Sequence, residues 1–396
     1  MRNKIIKNAL PTVLILVVFA CPVFALPPDP NNAALLYYQA FCGYEKPDDT
    51  MKSMIRELAN GRIEPNPTIT KYIESCRPAI ELAASAGELS ECDWGLKYSE
   101  GLDLQAAYLA QIRILTHITL ADARIALKQA DYDLAIQRCL TARKLGIDVG
   151  QDPLTVGFLV EKAIERITNK CIQDILCSHP MELKTLQHLK AQLDELDSRI
   201  KPIQFFLEVE QEVMAMYITP ERIRELLHWV EPEKEDAFIN VPDGAPEYIL
   251  NADEQFCQRN LTYYNKHWDA IFSALKLPYQ QAYNTLEELD KKAAEDYKEN
   301  SDATMTVLLA PAVMKIYSRG IQSETFSNAL KTAIEIYEIA ARTGQSPDSL
   351  PVGLPKDLFS GKDFEYEKTA EGFILRCQGK DLSKDEIYEY EFKIKK

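Results

Sequence analysis

The chain has 396 residues, with 60 acidic against 45 basic side chains and a net charge of −15. Phosphate binding depends on basic contacts, so this balance excludes nucleic acid and anionic lipid as expected partners and leaves solubility as the ordinary use of the charge. A length near 400 with 46% hydrophobic residues is enough for two or three cores.

Arg2, Lys4 and Lys7 precede an apolar run from Val13 to Ala20, and Val23-Phe24-Ala25 offers a small-residue cleavage site. A positive start, a short apolar middle and a cleavable end describe a secretory signal peptide over residues 1–25. The mature chain is then extracytoplasmic, periplasmic or secreted. Val18-Phe19-Ala20-Cys21 supplies a rival in which Cys21 accepts a lipid, and an uncleaved anchor is the third alternative. Val307 to Met314 is the best later apolar run, but it is short and holds Pro311, so no membrane span is expected in the mature chain. Loss of the three leader bases leaves 42 basic against 60 acidic residues and a charge of −18.

Residues 26–103 read as an N-terminal helical segment with irregular loops. Asn32 caps a short aromatic helix from Ala33 to Phe41, and glycine and proline breaks punctuate residues 43 to 68. Thr70 to Ala86 is helical, and Glu88 to Asp103 is irregular. Residues 104–320 read as a helical domain. Ala107, Ile112, Leu115, Ile118, Ala121 and Ile125 share one face, and Ala135, Ile136, Cys139, Leu140 and Ala142 share another. The block from Ala126 to Ala142, ALKQADYDLAIQRCLTA, is similar to the turn and second helix of a tetratricopeptide repeat. One repeat length on from Tyr132 there is no second copy, so the block predicts a helical hairpin and not a repeat array. Further helices are expected over Leu154 to Leu176, from Met181 to Ile200 with the seam Leu186, Leu189, Leu193, Leu196, and over Ile203 to Tyr217. Residues 231–251 read as a long acidic, proline-rich loop. Phe256 to Leu275, Tyr279 to Tyr297 and Met305 to Tyr317 complete the helices.

Residues 321–396 read as a helix followed by a β meander. Phe326, Ala329, Leu330, Ala333, Ile334, Tyr337, Ala340 and Ala341 keep helical spacing, with Gly344 as C-cap and Pro347 as stop. Phe364 and Tyr366, then Phe373, Leu375 and Cys377, then Tyr388, Tyr390, Phe392 and Ile394 alternate with polar residues. Three period-two runs predict a small antiparallel sheet, which needs the helix as its cover. The expected fold is therefore mainly α, a multi-helix antiparallel array closed by a small sheet.

Gln345-Ser346-Pro347-Asp348-Ser349-Leu350, Asp357-Leu358-Phe359-Ser360-Gly361-Lys362, Tyr366 and Glu371-Gly372-Phe373 make this tail resemble the C-terminal half of type II secretion pseudopilins. Leu358 stands where the usual tail has proline. The pseudopilin calcium loop is reduced to Gly379-Lys380-Asp381, so no calcium site is expected. Over nearly all of the mature chain, the blocks AALLYYQAF, ALKQADYD, LDELDSRIKPI and FSGKDFEY resemble a set of uncharacterised exported bacterial proteins. That resemblance implies export and no particular reaction.

Eight cysteines remain after Cys21, and an oxidising compartment permits them to pair. Cys42, Cys76 and Cys92 are the first candidates for a bridge, with Cys171 and Cys177 as further candidates. Cys171, Cys177 and His179 lack the tight pair and fourth ligand of a structural zinc site. His117, His188, His228 and His267 stand alone, and no nucleophile elbow, phosphate loop or dinucleotide fingerprint occurs. Glu208 with Glu212 and Glu287 with Asp290 share helix faces, and with 60 acids such pairs arise by chance. Trp94, Trp229 and Trp268 are read as core, and Asn260-Leu261-Thr262 as helix surface. No metal or cofactor is expected. The function expected is an exported protein-interaction or structural component of the cell envelope, partnered by another envelope or secreted protein. The alternative is an envelope-polymer hydrolase using two carboxylates across a cleft.

Overall fold

In the computed structural model, residues 29–226, 245–310 and 312–395 are described. The expected signal peptide, Cys21, His228, Trp229 and most of the expected loop at 231–251 lie outside them. Asn32–Lys396 forms one compact unit, and Met1–Asn31 groups by itself. Of that N-terminal group the described part, Asp29 to Asn31, carries no regular structure. The compact unit is mainly helical with one three-stranded antiparallel sheet. No helix among the described residues is long and apolar enough to cross a membrane.

Three helices open the unit: α1 (Ala33–Cys42), α2 (Asp49–Ala59) and α3 (Pro67–Ala86). Asn32, Asp48 and Asn66 cap them, each side-chain oxygen accepting from a backbone N–H of the first turn, and Pro67 occupies the first position of α3. The segment expected to be broken at 43–68 thus contains a helix, α2. Its start is an aspartate cap, and its apolar stripe runs through Met51, Met54, Ile55 and Leu58, of which Ile55 and Leu58 are buried.

The centre consists of α4 (Tyr108–Lys128), α5 (Tyr132–Val149) and α6 (Thr155–Ser178). A short turn joins α4 to α5, with Ala130 at φ 60° and the Asp131 side chain capping α5 by accepting from Leu134 N–H at 3.2 Å. Helices α5 and α6 approach closely at Gly146, where a Cβ would stand 2.9 Å from Ile164 Cγ2. A side chain there would force the helices apart. Next come α7 (Leu183–Asp197), with Leu186, Leu189, Leu193 and Leu196 buried, and α8 (Ile203–Ala215), begun by Pro202.

Two helices differ from the sequence expectation. Residues 245–250, expected inside a loop, form the short helix α9 (Ala245–Leu250). Met305 to Tyr317, expected as one helix, divides into α12 (Thr304–Leu309) and the start of α13 (Val313–Thr343). Proline at 311 explains that break, because it has no N–H to continue the α12 ladder. Between α9 and α12, helices α10 (Glu254–Ala274) and α11 (Tyr279–Glu299) pack against each other. The boundary expected at 320/321 falls inside α13.

Helix α13 ends at Gly344, left-handed at φ 80°. The sheet follows as β1 (Glu365–Lys368), β2 (Gly372–Arg376) and β3 (Glu389–Lys393), in that order. Phe373 pairs with Phe392, and Leu375 with Tyr390. Phe373, Leu375 and Phe392 are fully buried, and the Tyr337 ring of α13 stands 5.7 Å from Phe373 and 6.4 Å from Phe392. From α6, Gln173 Nε2 donates to the Glu391 carbonyl at 2.7 Å.

Two loops around the sheet share one construction. Asp357–Lys362 and Asp381–Glu386 each close with an antiparallel bridge between first and sixth residues, and each has its fifth residue left-handed, Gly361 at φ 71° and Asp385 at φ 62°. The leading aspartate is the hub in both. Asp357 accepts from the backbone N–H groups of Phe359, Gln378 and Gly379 at 2.8–2.9 Å and from Ser360 Oγ at 2.6 Å. Asp381 accepts from Ser383 N–H and Oγ and from the hydroxyls of Tyr279 and Tyr388. Buried carboxylates with this many donors are fully satisfied.

Candidate functional site

Helix α6 interrupts its buried apolar stripe with charge, as α4 and α5 also do. Glu161, Lys162, Glu165 and Asn169 lie on the inward side of α6 among Phe158, Ile164 and Ile172, and all are buried. Charges in an interior persist only when they are paired and hydrogen-bonded. The pairing groups come from α5, α7 and α13. Arg143 Nη2 meets Glu165 Oε1 at 2.8 Å and Asp197 Oδ1 at 2.6 Å, with the Arg143 and Glu165 side chains 3% and 2% exposed. Lys162 Nζ lies between Glu161 Oε1 at 3.1 Å and Glu165 Oε2 at 3.0 Å. Ser327 Oγ donates to Glu165 Oε1 at 2.6 Å and accepts from Asn169 Nδ2 at 2.8 Å. Lys331 Nζ bridges Asp194 at 2.9 Å and Asp197 at 2.8 Å.

This network floors a cleft of about 390 Å³ between α6, α13 and the segment joining α7 to α8. Phe158, Ile203, Tyr317 and Ile321 give it apolar walls, and Lys162, Glu165, Asp197, Glu324 and Lys331 give it charge. At Gly320 a Cβ would come within 3.0 Å of the Phe158 ring, so glycine lets α13 approach this wall.

The proton affinities follow from the geometry. Burial alone would push Glu165 up, but Arg143, Lys162 and the Ser327 hydroxyl overrule it and hold the carboxyl well below its usual range. Burial likewise opposes the charge on Lys162, and Glu165 and Glu161 outweigh it and raise its pKa. Glu161 behaves differently. Burial lifts it to about 7, Lys162 only partly opposing, and its Oε2 has no hydrogen-bond partner. That oxygen lies against Gly150, where an added Cβ would fall 2.2 Å away. Glu324 is pushed up by desolvation, with Lys162 and Lys331 opposing and Glu165 and Asp197 adding to the push, although the residue is still exposed to solvent. That exposure tempers the upward push.

The residues singled out from sequence are scattered. All eight described cysteines are free thiols, with Cys42 exposed, Cys92 half-buried and Cys76 buried. Cys171 hydrogen-bonds the Cys139 thiol of α5, whereas Cys177 accepts from Lys393 N–H at 3.3 Å and lies 3.9 Å from the Tyr337 hydroxyl. His179 stacks on Tyr132 at 4.4 Å, so Cys171, Cys177 and His179 do not converge. Among the described residues no group of three His, Cys, Asp or Glu side chains could hold a metal ion. Burial lowers His117 and His267 to about 4, which keeps both neutral at pH 7.

Glu208 accepts from Gln204, and Glu287 pairs with Lys291 at 3.0 Å; neither acid lines the cleft. Trp268 is fully buried. Trp94 stacks between Tyr37 and Tyr108, where Tyr37 and Trp94 also bond to Asp148 and Tyr108 to Asp152. Asn260 is not at the helix surface. It is fully buried, donating to the Phe256 and Ser301 carbonyls and accepting from Met305 N–H.

Sequence reasoning missed Arg143, Glu161, Lys162, Glu165, Asp197, Glu324 and Lys331. One signal could have found the α6 group. Phe158, Glu161, Glu165, Asn169 and Ile172 recur at three- and four-residue steps, so charge interrupts a stripe that ought to be apolar. Comparison with protein-family models, curated proteins and solved structures finds no match for the chain.

Proposed function

We propose that this chain is an exported recognition protein of the cell envelope, which binds another envelope or secreted protein at the α6–α13 cleft and catalyses no reaction. The observation that carries this reading is the state of the acids beneath the cleft. Glu165 and Asp197 are held as ion pairs by Arg143, Lys162 and Lys331. Pre-set charges of this kind fix a shape and resist proton transfer. A glycosidase needs a protonated acid and a free carboxylate facing each other across the substrate. Glu161, the acid of this network whose pKa is near neutrality, turns its free oxygen to Gly150, and Asp148 and Asp290, both raised to about 6, do not line the cleft, so the polymer-hydrolase alternative is the weaker one.

Export rests on the charged, apolar and cleavable leader read over residues 1–25. The α4–α5 hairpin of tetratricopeptide style and the pseudopilin-like helix and sheet at the C-terminus agree with a binding role, since both architectures serve assembly. A photo-cross-linking residue at Lys201, on the cleft wall, tests the reading. It should capture one reproducible partner from envelope extract, and that partner, purified, should bind the chain. Capture no stronger than from the exposed control position Lys128 would refute a recognition cleft.

A further inference from the structure

Along the lining of the cleft, Lys162, Lys201 and Lys331 balance Glu165, Asp197 and Glu324. Arg143, Lys162 and Lys331 are the cations of the network, and Glu161, Glu165, Asp194 and Asp197 are the acids they contact. Each of these cations is therefore already matched by carboxylates of the network. Lys201 on the far wall sets its ammonium over the Phe205 ring at 5.6 Å, away from those acids.

Glu324 differs from the other acids lining the cleft. Glu165 and Asp197 each hold two cations, whereas Glu324 has no ion pair or hydrogen bond among the described residues. It projects from α13 one turn beyond Gly320 and Ile321, beside a space bounded by Phe158, Ile203 and Tyr317. An unpaired carboxylate at the end of an apolar trough, in a chain of net charge −15, attracts cations and not anions.

We infer that the cleft receives an alkylammonium group, the aliphatic stem lying along Phe158, Ile203, Tyr317 and Ile321 and the ammonium head on Glu324. The chemistry is that of a lysine side chain presented by the partner. A free diamine would share it. The volume, about 390 Å³, suits one side chain of that length and is too small for a folded element. Desolvation disfavours an ionised Glu324, with Lys162 and Lys331 opposing it and Glu165 and Asp197 adding to it, and a seated cation offsets that desolvation. This ligand class rests on the recognition reading above.

Titration with Nα-acetyl-lysine N-methylamide, followed by protein chemical shifts, tests it against the neutral isostere Nα-acetyl-norleucine N-methylamide and against cadaverine. The lysine probe should saturate, and the norleucine probe should bind at least about tenfold more weakly, the worth of one charge-assisted contact. Glu324→Gln should weaken the lysine probe by about tenfold while leaving thermal unfolding in place. Cadaverine binding more tightly than the lysine probe would keep the ammonium site and assign it to a free diamine. Equal binding of lysine and norleucine, no saturation by either cation, or an unchanged affinity in Glu324→Gln would overturn the assignment. Cross-linking from Lys201 reads partner engagement whatever the charge of the ligand. A captured partner without lysine binding would thus retire the ligand class alone, and lysine binding without a captured partner would retire the protein-recognition reading alone.

Discussion

Arg143 of α5 and Glu165 of α6 meet at 2.8 Å with almost no exposure of either side chain, and every other charge under the cleft is arranged around them. Removing the arginine takes one of two cations from each of two acids, leaving Glu165 in the interior with Lys162 and Asp197 at its edge with Lys331. Arg143→Ala is expected to destabilise the chain by about 3–5 kcal/mol, the usual cost of breaking a buried pair from one side. Urea unfolding followed by circular dichroism would measure it, and a loss below about 1 kcal/mol would show that the pair is a surface-like contact.

Glu161 gives a stability effect with a definite pH direction. Its pKa is about 7 in the folded chain against an ordinary 4.5, so between those values the folded state binds the proton more tightly than the unfolded state. Stability from this group therefore falls as pH rises through that window. His117 and His267, lowered to about 4 from 6.5, act the other way, losing stability as pH falls. The difference between wild type and Glu161→Gln isolates the first effect. The variant should be more stable than wild type by about 1–3 kcal/mol at pH 8 and nearly equal to it at pH 5. Equal destabilisation at both values would mean that Glu161 stays ionised throughout.

Gly146 sets the α5–α6 spacing against Ile164. Gly146→Ala gains helix propensity but overpacks this contact, with an expected net loss of about 1–3 kcal/mol. Gly146→Ala with Ile164→Val should recover part of the loss, because the clashing methyl region has been trimmed. A double-mutant cycle checks the coupling, and strict additivity would show that the two sites do not touch.

Asp357 holds the first of the two aspartate-led loops and reaches across to Gln378 and Gly379. Asp357→Ala leaves buried N–H groups without acceptors and should cost about 2–4 kcal/mol. Asp357→Asn keeps one acceptor oxygen and should cost less. Hydrogen exchange at Gln378 and Gly379 would report the loss directly, and unchanged protection in the alanine variant would contradict the hub role.

The proposed leader, outside the described residues, is tested by intact mass. The exported chain should begin at Leu26, and a product still carrying Met1 would contradict cleavage and weaken the extracytoplasmic reading. A lipid mass on Cys21 would select the rival processing route.

Helices with continuous apolar stripes were legible, and the seam from Leu186 to Leu196 lies buried in α7. The alternation of Phe373 and Leu375 likewise located β2. Helix α2 was hidden by the neighbouring glycines and prolines, which resemble a loop, although Met51, Met54, Ile55 and Leu58 keep helical spacing. The cleft was hidden for a stronger reason. Arg143, Glu165, Asp197 and Lys331 come from four helices, and no local spacing in a sequence marks charges that meet only after the helices pack. The second aspartate-led loop at Asp381 was also missed, since its fifth residue is Asp385 where the first loop has glycine.

The 31 residues of α13 make a rod roughly 46 Å long at 1.5 Å per residue. Its early turns carry Tyr317, Gly320 and Glu324, and its late turns carry Tyr337 against the strands. Cleft and strand layer are thus mounted on a single axle. Cutting the chain near residue 320 to express the C-terminus as a separate module would split that axle and deprive each fragment of a wall it needs.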